Sequence, residues 1–521
     1  MRKSFFGLVA LLAVAGESAA APVVIKNEDN EHIFLTAETV GESDIGFGEK
    51  ALVEYVDFMT KGRALTHIFY CACGQRASFD SEAWEPIWYG MDEKDVGGRT
   101  NYSWKVRAKA YRDAGIDPYK VMVRRTRDNL VSPWMSMRMN DIHFVTTDRI
   151  SRSTRFWRDH PEFRVYPEEK ALGSKRPWYD FTLDFHYPEV RDYNFRMAHE
   201  LLNRYDVDGL ELDWMRCQPC LRIERAREDA HFLTDFVRRV RKAADRTATG
   251  RDHPVGLAVR VPPTLADCDE LGLDIRTWLR ERLVDIVILA CESSTFFELD
   301  LAEWTRAAKA LNPSVKVVPS IDRIQCANPC FPQHIDMAGY RGWADAMLSR
   351  GGDGLYLFNL EYSAMSAQRG VYAGGLRLEN LATRYRRYFV TIDDVREKML
   401  RRNRSVLPIP LDAAGALSVV CGSTRPAKSV EVVLGFNREA TRAAQLALTL
   451  NGVPAEAVEE VAETGQYCGV RRWTFMRSEK VFRWRFPLSA FRPGVNMLAF
   501  LPLDGDDTGI CWAEIALDRE M

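Results

Sequence analysis

Asp208-Gly209-Leu210-Glu211-Leu212-Asp213-Trp214-Met215-Arg216 is the stretch on which the reading of the fold turns. In an extended strand successive side chains point to opposite faces. Glu211 and Asp213 therefore share one face, and Leu210, Leu212 and Trp214 share the other. Helical patterns flank this strand. Upstream, Pro188 opens a helix with Val190, Met197, Leu201 and Tyr205 at helical spacing. Downstream, Phe232, Phe236, Val240 and Ala243 mark another.

The same alternation extends outward. Apolar runs at 33–37, 66–71, 120–123, 209–214, 255–261, 285–290, 315–321 and 354–360 are short and β-branched or aliphatic, as strands buried on both faces should be. Eight β–α units in series predict a closed (β/α)₈ TIM barrel over residues 22–375 rather than an open doubly wound sheet. A Gly-rich dinucleotide fingerprint is absent after the first run, which weakens the open-sheet alternative. Two excursions, 75–100 and 124–179, leave what should be carboxyl ends of strands, where barrel active sites are built.

Beyond residue 362 the period changes. Residues 376–404 read as helical and basic, and Val406-Leu407-Pro408-Ile409-Pro410 as a linker closing a segment 376–410. Runs at 417–421, 430–434, 446–450, 471–475, 481–486, 495–501 and 511–517, with a turn at Asn451-Gly452, predict a C-terminal β-sandwich over 411–521.

Composition bounds the function. The 521 residues carry 71 basic and 73 acidic side chains, which rules out bulk polyanion binding by net charge, though not a local basic site; no nucleic-acid partner is expected. No apolar run reaches the roughly 18–20 residues of a membrane span. Arg2 and Lys3, an apolar stretch at 5–16 and Ser18-Ala19-Ala20 read as a cleavable signal peptide over 1–20, implying a secreted or periplasmic protein. In that compartment the close pairs Cys217/Cys220 and Cys326/Cys330 read as disulfides, with a four-thiolate zinc site as the alternative.

Close carboxylates push one of the pair toward protonation, so Asp213, nearer the strand end, is the candidate general acid and Glu211 its partner. Glu292, Asp322 and Glu361 end the sixth, seventh and eighth runs. Glu292 or Asp322 would supply the second catalytic carboxylate, and Glu361 is grouped with the substrate. Arg138-Met139-Asn140-Asp141-Ile142-His143 in the long excursion offers dense hydrogen-bonding groups for a sugar. Trp134, Trp178 and Trp214 are either stacking platforms or core. Arg124, Arg125, Arg127, Arg138, Arg216, Arg260 and Arg323 gather at expected strand ends. They would bind an anionic (sulfated or uronic) glycan or neutralise the interior carboxylates.

Residues 32–362 resemble the secreted bacterial (β/α)₈ proteins grouped as family-10-like glycosyl hydrolases. The matching stretches are Arg138–His143, His160-Pro161-Glu162, Pro188-Glu189-Val190-Arg191-Asp192-Tyr193, and Tyr205 through Arg216. The resemblance implies a carbohydrate-active barrel, and the overall reading is a polysaccharide glycoside hydrolase with no cofactor. Family-10 xylanases place an Asn-Glu acid/base on the fourth strand and a Glu nucleophile on the seventh. Here the fourth strand reads Glu-Leu-Asp-Trp and the seventh ends Ser320-Ile321-Asp322, so those roles do not transfer. The alternative is a non-catalytic glycan-binding or cell-surface protein on the same scaffold. No His-x-His or His-Glu-x-x-His signature supports a metal hydrolase.

Overall fold

The computed structural model describes residues 21–34, 46–61, 64–89, 99–143, 153–167, 180–292, 294–322, 324–326, 332–358, 381, 384–395, 400, 406–412, 414–422, 427–437, 443–462, 478–502 and 509–518. Eight parallel strands form a closed barrel. They are β1 (Val23–Glu28), β2 (His67–Cys73), β3 (Ser132–Arg138), β4 (Gly209–Asp213), β5 (Gly256–Val261), β6 (Ile286–Leu289), β7 (Lys316–Ile321) and β8 (Gly354–Leu357). Each pairs with the next, and β8 pairs back to β1. Outside lie helices α1 (Glu49–Thr60), α2 (Arg99–Asp113), α3 (Pro118–Asp128), α4 (Pro188–Arg204), α5 (Ala226–Arg251), α6 (Leu301–Leu311) and α7 (Met337–Ser349). On α4, Val190, Met197 and Leu201 are buried, as the helical spacing requires.

Two of the expected strands lie elsewhere. The first barrel strand is Val23–Glu28, while Ile33 and Phe34 are buried in a 3-10 turn. The run 120–123 belongs to α3, where Asp117 accepts from the backbone N–H groups of Tyr119 and Lys120 and Pro118 takes the first helical position. The third strand is Ser132–Arg138 instead. Arg124, Arg125 and Arg127 therefore sit on an outer helix, and Arg125 pairs with Asp57 of α1 at 2.6 Å. Arg125 is a brace between two helices, away from the barrel mouth.

The C-terminal part is β-rich. One antiparallel sheet runs Arg386–Phe389, Gly509–Leu517, Val430–Phe436, Lys480–Phe486 and Ala457–Glu460, with Ile409–Pro410 on an edge. A second sheet runs Gly415–Cys421, Gly494–Phe500, Leu448–Leu450 and Val453–Pro454. The run 471–475 lies outside the described residues. The basic segment 376–404, expected to be helical, contributes the strand Arg386–Phe389, so the β-rich unit starts upstream of residue 411. This strand lies against α7. A Cβ at Gly342 would stand 2.0 Å from the Arg387 carbonyl oxygen, so only glycine permits the approach. Buried Arg387 donates to Glu514 of the β-rich unit (2.6 and 3.1 Å) and to Asp336 at the head of α7 (2.7 Å).

Candidate active site

Alternate residues along each strand point into the barrel and stack in layers. The lowest described layer is aromatic. Trp134 of β3 stacks on Phe69 of β2 with ring centroids 4.8 Å apart. Its indole lies over two bare backbones, since a Cβ at Gly209 or Gly256 would stand 2.3 or 2.6 Å from it.

Above this floor sits Glu211, fully buried. The Ser136 hydroxyl donates to its Oε2, and Tyr356 of β8 faces it. Burial first, and Asp213 second, push the Glu211 carboxyl up to about 8. Glu211 thus keeps its proton at neutral pH.

Asp213 lies at the carboxyl end of β4. Arg260 Nη1 donates to both its oxygens at 3.1 and 3.2 Å, and the Met215 backbone N–H donates to Oδ1 at 2.9 Å. Arg260 is itself fixed: Nη2 donates to the Cys291 carbonyl at 2.9 Å, and its guanidinium carbon lies 3.8 Å from the centre of the Phe358 ring. The arrangement presents Asp213 as an oriented hydrogen-bond acceptor more readily than as a proton donor.

A second charged cluster closes the rim. Arg138, at the end of β3, bridges Asp29 at 2.7 Å and Asp141 at 3.0 Å. Burial raises Asp29 and Asp141. Arg138 with His32 outweighs it at Asp29, and His143 with Arg138 at Asp141, so both carboxyls are held below the ordinary range. Asp141 Oδ1 faces His143 Nδ1, and half-buried Arg216 donates to His143 Nε2 at 3.1 Å. With Nε2 accepting, a neutral ring carries its proton on Nδ1.

Glu292 and Asp322, just past β6 and β7, are buried at the same end of the barrel. The Glu292 backbone N–H donates to Asp394 at 2.9 Å. Asp322 receives the Ile324 N–H at 3.2 Å, and its own N–H donates to Thr295 Oγ1 at 3.0 Å. Because Arg260 holds both Asp213 and the Cys291 carbonyl, it brings the start of the β6 loop beside Asp213.

Several expected site residues have other work. Asn140 uses its side chain as a clamp, accepting from the Leu183 N–H at 2.8 Å and donating to the Leu183 carbonyl at 2.9 Å. Trp134 is barrel floor, and Trp214 is fully buried between strand and helices against Phe185, Phe236 and Trp278. Neither offers a face to a sugar. Trp178, Arg323 and Glu361 lie outside the described residues. Cys217 and Cys220 are buried free thiols. They diverge: Cys217 approaches Asp141 and His143, while Cys220 Sγ meets Asn140 Nδ2 at 3.6 Å. Cys330 and the side chain of Cys326 lie outside the described residues. Sequence reasoning missed Asp29, Ser136 and Tyr356. Asp29 follows the unrecognised first strand, Ser136 sits on the unrecognised third, and Tyr356 sits in a run read only for its apolarity.

Two groups among the described residues bring metal-type donors together: Asp141, His143 and Cys217 at the rim, and Cys291, Asp393 and Asp394 where the two units meet.

No protein-family model and no curated relative matches the chain. Solved structures do. The glycoside hydrolase domain of PgaB (BpsB) from Bordetella bronchiseptica is 12% identical, covers 68% of this chain and 99% of its own, and gives a TM-score of 0.39. A cycloisomaltooligosaccharide glucanotransferase from Paenibacillus sp. is 9% identical over 96% of this chain and 57% of its own, with a TM-score of 0.34. The GH36 α-galactosidase AgaA from Geobacillus stearothermophilus is 12% identical over 92% of this chain and 55% of its own, with a TM-score of 0.36. The chain thus spans little more than half the length of the last two. Likeness at this level transfers no activity and no residue role. The barrel assignment stands on the strand pairing itself. No helix among the described residues is long and apolar enough to cross a membrane.

Proposed function

We propose that the chain is an exported glycoside hydrolase acting on a polysaccharide at the carboxyl end of its barrel. The observation that carries this reading is the Glu211–Asp213 pair, in which burial and the neighbouring Asp213 keep Glu211 protonated and Arg260 orients Asp213. In this reading Asp213 is the carboxylate that attacks the anomeric carbon or activates water. Glu292 or Asp322 supplies the proton to the leaving oxygen. Glu211, protonated beneath Asp213, holds its place in the barrel without touching the sugar. The general-acid role expected of Asp213 from sequence passes to these neighbours, because both Asp213 oxygens already accept from Arg260.

The substrate's charge is a separate part of the proposal. Arg138 and Arg260 are committed to Asp29, Asp141 and Asp213. That leaves Arg216, among the described arginines of the mouth, as the one to meet a sulfate or uronate. A panel of polysaccharides assayed for new reducing ends tests the activity. The anionic preference is tested on a bound glycan before and after desulfation or carboxyl reduction. Unchanged affinity, with no salt dependence, removes it.

The second reading, a non-catalytic glycan-binding barrel, is favoured by the same arginine pairing, since neutralised carboxylates hold a fold together without chemistry. Saturable glycan binding with no new reducing ends over the whole panel selects it.

A further inference from the structure

Three donor atoms of different chemistry meet at the rim. Asp141 and His143 follow β3, and Cys217 follows β4 with a left-handed φ of 65°. A carboxylate oxygen of Asp141, a ring nitrogen of His143 and the Cys217 sulfur all lie within 4.8 Å of one another. They are near enough for a small closing of the side chains to bring all three onto one ion at bond lengths of roughly 2.0–2.3 Å. Cys217 is buried, and burial raises its thiol well above the ordinary value. A metal ion reverses that preference by coordinating the thiolate directly.

The charge around the trio favours a dication. Asp29, Asp141 and Glu292 place three carboxyl groups against the guanidiniums of Arg138 and Arg216. Formally this leaves one net negative charge. Binding of a dication with loss of the Cys217 proton to solvent brings the formal sum to zero, so the flanking arginines do not forbid the site. Sulfur and imidazole donors select zinc or cobalt over magnesium and calcium, which take oxygen. The ring has two present partners, Asp141 at Nδ1 and Arg216 at Nε2, and coordination displaces one of them.

We propose that Asp141, His143 and Cys217 form a three-ligand site for a zinc-class divalent cation at the barrel rim, with its fourth position open to water or ligand. The site stands independently of glycosidase activity.

The test uses the full chain, stripped with a chelator and titrated with zinc alone by calorimetry in two buffers of different ionisation enthalpy. Expected are one ion per chain at micromolar affinity or tighter and release of protons on binding. Cobalt in place of zinc should give a thiolate-to-metal charge-transfer band, read on the unaltered protein so that no variant has to fold. His143→Ala and Cys217→Ser should each weaken binding by at least about 100-fold, and Cys217→Ser should abolish the band, while Cys220→Ser keeps both. Absence of saturable zinc binding, zinc uptake without a cobalt–thiolate band, or a band that survives Cys217→Ser overturns the proposal.

Discussion

Arg260 is the residue on which the mouth of the barrel is organised. Its two nitrogens hold Asp213 and the β6 loop, and Phe358 covers its face. Asp213→Asn should therefore keep the fold and lower turnover of an established substrate by at least about 10²-fold. Full activity in that variant removes Asp213 from the chemistry. Glu211 makes a second prediction, with a sign. Its carboxyl is raised from an ordinary 4.5 to about 8, so the folded chain binds a proton there that the unfolded chain releases. The stability this contributes is fully present below about 4.5 and is lost as pH rises through about 8. Glu211→Gln should flatten that fall in denaturant midpoints measured between pH 5 and 8; an unchanged slope assigns it to other groups. The residues of the pair were legible because period two on one strand fixes which side chains share a face. Arg260 was legible as a partner of Asp213, whereas Arg138 pairs with Asp29 and Asp141, outside the carboxylates expected to need it. The use of Asn140 was not, because its partners at Leu183 and Pro219 are contacts between loops that no local pattern encodes.

At the level of elements, local chemistry decided where the reading held and where it slipped. Strands β4 to β8 are apolar runs bounded by turns, and their places follow from that alone. The run at 120–123 has the same composition, yet the Asp117-Pro118 cap commits it to helix α3. The true third strand, Ser132–Arg138, carries a proline, two serines and an arginine, so its sequence lacks the β-branched signature. Likewise Arg386–Phe389 looks basic and helical until its arginines meet Glu514 and Asp345. Its seat on α7 yields a prediction. Gly342→Ala should cost about 1–3 kcal/mol in urea unfolding, because the added methyl collides with the Arg387 backbone. Gly250→Ala on α5 meets nothing within 4 Å and should be neutral or slightly stabilising. Equal effects at the two positions would mean that α7 and the strand part easily.

For the whole molecule, the barrel and the β-rich unit are joined by more than a linker. Glu298 after β6 accepts from the Thr391 N–H at 2.9 Å and hydroxyl at 2.6 Å, and Asp394 catches the Glu292 N–H at 2.9 Å. A chain cut after residue 404 keeps Arg386 and Arg387 and loses their partners Asp518 and Glu514. Such a truncation should melt below the full chain and bind a hydrophobic dye. Coincident melting of the two proteins would show that the barrel owes nothing to the unit beyond it. A different consequence follows from the indole of Trp134 pressed onto Gly209 and Gly256. Among the described residues the barrel is a blind vessel, stoppered at its base. In the proposed reaction substrate therefore reaches Asp213, and product leaves it, on the rim side of that stopper.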